Sequence, residues 1–188
     1  TMQALTQAGR AMAYHAASCL DTGDRVAADI LTPIVKSWCT DRSIEVASLG
    51  VQVHGGMGFV EETGAAQFYR DARILPIYEG TNGIQAMDLL FRKLGLDQGA
   101  NFTAWVEGQK TQHPDFADDW NRVLASAQAL GGMAPAESAM LAMPFLEQCS
   151  FVLGASLLAQ YGPEHLATFY NRHILVKAGA YAHTIQEG

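Results

Sequence analysis

Apolar residues return at three- and four-residue steps from the start of the chain. Met2, Leu5, Gly9, Met12, Ala16 and Leu20 form one stripe, with Gln3, Gln7 and Arg10 elsewhere on the wheel, which predicts an amphipathic helix closed near Gly23. Asp24 is placed to cap a short run from Arg25 to Leu31, and Thr32-Pro33 predicts a fresh helix start, with Thr as N-cap and Pro at the first helical position. Val35, Trp38, Val46, Leu49 and Val53 then share one face. Three glycines within His54-Gly55-Gly56-Met57-Gly58 break that helix. A short helix follows over 62–72, then Ile74-Leu75-Pro76-Ile77-Tyr78 as an extended connector, since Pro76 disfavours helix before it. Another helix is expected to open at Glu79 and run to Leu94, with Ile84, Met87, Phe91 and Leu94 inward.

The polar stretch Gly95–Asn101 is a candidate boundary. Beyond it Leu124, Ala127 and Leu130 precede Gly131-Gly132, and a long apolar helix through Met140, Phe145, Cys149, Val152 and Leu157 is expected to kink at Pro144 and end at Gly162-Pro163. A last helix is expected from about Glu164 past Lys177. No period-2 strand series occurs, so the fold class predicted is all-α, a helical bundle over 1–95 followed by a second small helical bundle over 100–188.

Composition narrows the function classes. The 188 residues are 49% apolar and 16% charged, with a net charge of −7. An acidic chain without a clustered Lys/Arg stripe lacks the electrostatic footprint of nucleic-acid binding. No uninterrupted apolar run approaches the ~20 residues of a membrane span. Cys19, Cys39 and Cys149 are far apart and outside any CxxC pairing, which favours buried free thiols, a reducing compartment and a cytoplasmic location. The six histidines (His15, His54, His113, His165, His173, His183) show no HExxH spacing, so no metal site is expected. The serines sit outside any GxSxG elbow. Trp38, Trp105 and Trp120 are expected as core anchors. Thr1 in place of an initiator Met, and charge content below the ~25% of a typical domain, suggest a truncated chain with some surface normally covered.

Two clusters carry candidate chemistry. In Tyr78-Glu79-Gly80-Thr81-Asn82-Gly83 a carboxylate sits between an apolar connector, which raises its pKa by desolvation, and a helix start, which lowers it. The glycines leave backbone donors open to a ligand. Spacing alone does not separate a helix-capping Glu79 from a catalytic one. In Gln52-Val53-His54-Gly55-Gly56-Met57-Gly58-Phe59, bare turn amides form a possible anion-binding concavity, equally compatible with a simple interhelical turn. It is not a dinucleotide fingerprint, because it follows a helix and has Glu61 where the third glycine belongs.

Taken in order, Gln52 to Phe59, Arg70-Asp71-Ala72-Arg73 and Tyr78 to Thr81 resemble the C-terminal helical part of the FAD-dependent acyl-CoA dehydrogenases. The resemblance covers roughly 1–94, and the residues from Asn101 onward are similar, more generally, to the extension of the 3-methylmercaptopropionyl-CoA dehydrogenase subgroup. It implies that Glu79 is the base that takes the α-proton of an acyl-CoA, that Gly80 leaves room for the thioester, and that the Glu79 N–H binds the thioester carbonyl. It implies further that Gln52, Val53, His54, Gly55, Gly56, Thr81, Asn82 and Gly83 contact FAD, the first five on a neighbouring subunit's cofactor. The implied partners are the acyl-CoA substrate, an electron-transfer flavoprotein and further copies in a homodimer or homotetramer. The isolated segment is expected to be inactive, since proton and hydride acceptors must flank one substrate. A non-catalytic helical module for oligomerisation is the competing expectation.

Overall fold

The computed structural model describes residues 1–187. Among these no strand occurs, and helices follow one another in short connections, as the periodicity predicts. Helix α1 (Met2–Thr22) ends because Gly23 adopts φ 80°, which lets the Asp24 N–H reach the Cys19 carbonyl at 2.8 Å. Asp24 then caps α2 (Arg25–His54), accepting from the Ala27 N–H at 3.0 Å.

The expected break at Thr32-Pro33 is absent: α2 runs unbroken through Pro33 for 30 residues. Proline removes a donor from the Asp29 carbonyl, but the Thr32 hydroxyl donates to the neighbouring Ala28 carbonyl at 2.7 Å, and Ala27, Ile30, Leu31, Ile34 and Trp38 bury one face against α1. Tertiary packing thus outweighs the ~3 kcal/mol that proline costs in a helix interior. The short helix α3 (Gly56–Phe59) and a 3-10 turn (Glu61–Thr63) lead to α4 (Ala65–Ala72). The connector after α4 is a coil of overlapping turns instead of extended chain, with the Tyr78 N–H on the Ile74 carbonyl at 3.2 Å. Helix α5 (Asn82–Met87) starts three residues later than Glu79 and passes into a π-helical segment (Asp88–Leu94).

In the second half come α6 (Ala100–Gln112), α7 (Ala117–Gly132), α8 (Pro135–Met140), α9 (Ala142–Tyr161), α10 (Glu164–His173) and α11 (Val176–Glu187). Pro144 falls in the first turn of α9, where its missing N–H has no intrahelical acceptor to lose, so it does not kink the helix. The single terminal helix expected past Lys177 is two, parted at Ile174–Leu175.

Helix α9 is predominantly apolar, buried on nearly every side, and lies against α1, α2, α5, α7, α10 and α11. By length and composition it could cross a membrane, yet 83% of its apolar window is buried within the protein. Its packing explains the tryptophans: Trp38 meets the Phe151 ring edge-on at 5.2 Å, and Trp120, itself edge-on to Trp105 at 5.4 Å, donates to the Ser156 hydroxyl at 3.2 Å. Arg42 lies over the Trp38 and Phe151 rings and reaches Glu147 on α9 at 3.4 Å and Glu45 at 3.1 Å. At the α9–α10 crossing, a Cβ on Gly154 would stand 2.5 Å from the Tyr170 hydroxyl and 2.8 Å from Met12 Cε. Gly154→Ala is therefore expected to lose about 2 kcal/mol by overpacking, read as a melting point lower by about 6 °C; an unchanged melting point would contradict this crossing.

Candidate functional site

The segment 76–82 is a loop closed at its neck, where the Asn82 N–H donates to the Pro76 carbonyl at 3.1 Å. At its tip Glu79 and Gly80 are consecutive left-handed residues, with φ 56° and 83°. Glycine accepts this freely, whereas for Glu79 it costs about 1 kcal/mol. The residues are held there by side chains. Lys36 on α2 donates from Nζ to the Gly80 carbonyl at 2.8 Å and to Asn82 Oδ1 at 2.7 Å. The Asn82 Nδ2 donates to the Thr40 hydroxyl at 3.0 Å, and that hydroxyl donates to the Lys36 carbonyl at 2.8 Å. Gln85 Nε2 reaches the Glu79 carbonyl at 3.4 Å.

Two consequences bear on chemistry. The Glu79 side chain is exposed, and its N–H has no backbone or side-chain acceptor among the described residues. A carboxylate and an unclaimed donor therefore stand on the same residue, as proton abstraction beside a carbonyl requires. Glu79 does not open a helix; Thr81 does, as N-cap of α5, accepting from the Ile84 N–H at 3.3 Å. Gly83 sits exposed in the first turn of α5. Asn82 differs from its neighbours: it is buried, and its amide faces α2 instead of solvent. Lys36 and Thr40 were invisible to motif reading, because one Lys on a long helix carries no local signal.

The glycine-rich cluster lies elsewhere. Gly55 ends α2 with φ 62° and ψ −144°, and Gly58 is obligatory, since a Cβ there would clash with the Val51 carbonyl oxygen. Added Cβ atoms at Gly55 and Gly56 would meet nothing within 4 Å, so this turn faces open space. Gln52 and Val53 are exposed, and His54 Nδ1 lies 2.8 Å from the Gly50 carbonyl. From Lys36 to His54 α2 advances about 27 Å at 1.5 Å per residue, so the two clusters occupy opposite parts of one helix. Arg70, in the motif between them, pairs with Glu61 at 3.3 Å on the surface.

An apolar groove of about 620 Å³ runs between α1, α2 and α4, edged by Arg10, Arg42 and His54; it reaches the glycine-rich cluster at His54, and Glu79 does not line it. Large apolar side chains instead stand uncovered around both clusters: Phe59 is 80% exposed, Phe68 75%, Ile84 59% and Tyr78 48%.

The profile of the acyl-CoA dehydrogenase C-terminal domain matches residues 1–94. The chain is 49% identical over 144 residues to a 3-methylmercaptopropionyl-CoA dehydrogenase of Ruegeria pomeroyi, in a match covering 68% of this chain and 24% of that protein. It is 26% identical over 185 residues to a butyryl-CoA dehydrogenase of Syntrophomonas wolfei, covering 85% of this chain and 30% of that one. The chain thus spans about a quarter to a third of these relatives' length. Its fold is similar to that of Caenorhabditis elegans ACDH-11, solved in complex with C11-CoA, with a TM-score of 0.68 at 19% identity over 96% of this chain and 34% of that one. Without a strand among its described residues, and matching the family's C-terminal domain over 1–94, this chain belongs to the acyl-CoA dehydrogenase family.

Proposed function

We propose that this chain supplies the catalytic base and part of the flavin cradle of an acyl-CoA dehydrogenase that converts an acyl-CoA to its 2,3-enoyl-CoA. The observation that carries this reading is the left-handed Glu79–Gly80 turn, which presents a carboxylate and an unclaimed N–H together. Glu79 takes the α-proton, and its own N–H donates to the thioester carbonyl as negative charge develops there. Gly80, with no side chain, leaves space for the thioester, and Lys36 holds the turn in place. FAD, when bound, accepts the β-hydrogen as hydride. The phosphate and adenosine parts of a neighbouring subunit's FAD would be held at the open turn of Gln52, Val53, His54, Gly55 and Gly56, and the exposed Thr81 and Gly83 would face the FAD on the side of the base, with Asn82, buried against α2, bracing the turn behind them. A separation of about 27 Å along α2 supports assigning the two groups to cofactors of different subunits in a dimer or tetramer.

The surrounding apolar face supports the same assembly, since exposed Phe59, Phe68, Tyr78 and Ile84 need a partner surface. That face also favours a second reading, in which the 188 residues alone act only as an assembly module; without the opposite wall, proximity of base and hydride acceptor is lost. Electrons would pass on to an electron-transfer flavoprotein. The test is anaerobic addition of acyl-CoA to the complete flavoprotein. Bleaching of the oxidised flavin band with formation of 2-enoyl-CoA is expected; an unbleached flavin with every acyl-CoA tried overturns the dehydrogenase reading.

A further inference from the structure

We infer that Lys36 is a positioning residue that clamps the Glu79–Gly80 turn in its reactive conformation from the far side, through the Gly80 carbonyl and the Asn82 amide. The inference rests on Glu79 being the base. The turn's own bonds, Asn82 N–H to the Pro76 carbonyl and Gln85 Nε2 to the Glu79 carbonyl, leave the Gly80 carbonyl unbonded, while φ 56° at Glu79 is disfavoured for a side chain of this kind and α5 begins only after it. Nothing from the first turn of α5 reaches the Gly80 carbonyl. What reaches it is an ammonium carried on the neighbouring helix, at 2.8 Å.

The clamp is built in two layers. Lys36, Ser37 and Thr40 lie within one turn of α2, where side chains three and four apart share a face. Asn82 is the piece that docks onto it: Oδ1 accepts from Lys36 Nζ at 2.7 Å, and Nδ2 donates to Thr40 Oγ1 at 3.0 Å, with the Ser37 carbonyl at 3.5 Å. With Asn82 only 6% exposed, an amide left unpaired there would be penalised, so the docking has one favoured geometry. The Pro76 carbonyl closes the loop's neck on the same residue. Lys36 therefore grips the loop at its tip, through the Gly80 carbonyl next to Glu79, and at its base, through Asn82. Burial pulls the Lys36 pKa below its ordinary value, while Asp41 and then Glu79 oppose that pull; hydrogen bonds donated by an ammonium are the strong kind.

A clamp and an ordinary stabilising lysine differ in what they move. In the complete enzyme, Lys36→Met is expected to lower kcat by between about tenfold and about a hundredfold, the range for a displaced reactive group, with KM for acyl-CoA within about twofold. Lys36→Arg, which keeps charge and donors, is expected to recover most of kcat. Independently of turnover, exchange of the Asn82 amide, which the Pro76 carbonyl protects, should quicken at least about tenfold in Lys36→Met, while the amides of α9 keep their wild-type rates. Wild-type exchange at Asn82 in Lys36→Met overturns the clamp. Faster exchange there with wild-type kcat overturns its catalytic role. A loss of kcat that follows global unfolding, or that Lys36→Arg does not relieve while it refolds to wild-type stability, also overturns it. Failure of Glu79 as base shows separately, as an active Glu79→Gln enzyme whose exchange response to Lys36→Met persists.

Discussion

Glu79→Gln in the complete dehydrogenase is expected to lower kcat by about a thousandfold, the scale of a lost general base, with FAD still bound. Glutamine keeps the length and planarity of the side chain and adopts the left-handed backbone about as readily as glutamate, so the N–H that meets the thioester carbonyl stays where it is. Only proton acceptance is removed. The loss should therefore appear in kcat more than in KM, because proton transfer belongs to the transition state. The measurements are steady-state turnover with acyl-CoA and the flavin content of the purified variant. Turnover within about tenfold of wild type would take Glu79 out of the base's role.

The second large effect falls far from the reacting carbon. Arg42→Met is expected to destabilise the fold by about 3 kcal/mol near neutral pH, since it strands the buried Glu147 carboxylate. Burial pushes the Glu147 pKa up, and Arg42 is the main opposing influence; Asp41 and Glu45 push it up further, and Lys177 opposes them. A carboxyl whose folded pKa exceeds its unfolded value binds its proton more tightly in the fold. Its contribution is therefore fully present below the unfolded pKa and is lost as pH rises through the folded one. Arg42→Met should consequently regain stability on acidification toward and below the ordinary carboxylate range, and wild type should show the same slope more weakly. Adding Glu147→Gln should restore most of the neutral-pH loss, since no charge then remains to be stranded. Denaturant titrations at several pH values check this; a destabilisation independent of pH would mean that lost packing on Trp38 and Phe151, not charge, is what Arg42 contributes.

Much of the helical pattern is legible in sequence because periodicity and glycine stops are local. Gly23, the Gly55–Gly58 turn and Gly162 end helices where expected. Pro33 misled because its cost is local while its compensation is not: a buried face against α1 and α9 decides in its favour. The connector before Glu79 misled for a related reason. Pro76 excludes helix just before it but does not choose between extended chain and stacked turns, and the hydrogen bond from Asn82 to the Pro76 carbonyl chooses the turns.

At the site, the residue types and their order along the chain identified the family and the candidate base, since both are written in contiguous residues. The conformation of Glu79 was not written there: the carbonyl of the following Gly80 is held by an ammonium 44 positions before it on α2. The distance between the two clusters was equally out of reach, because it is set by how far α2 runs without a break, and that length was decided by packing around Pro33. Sequence alone determined which groups are available for chemistry. Only the tertiary structure decided how they are held and how far apart they stand, because a hydrogen bond between segments distant in sequence exists only once the helices that carry them have packed.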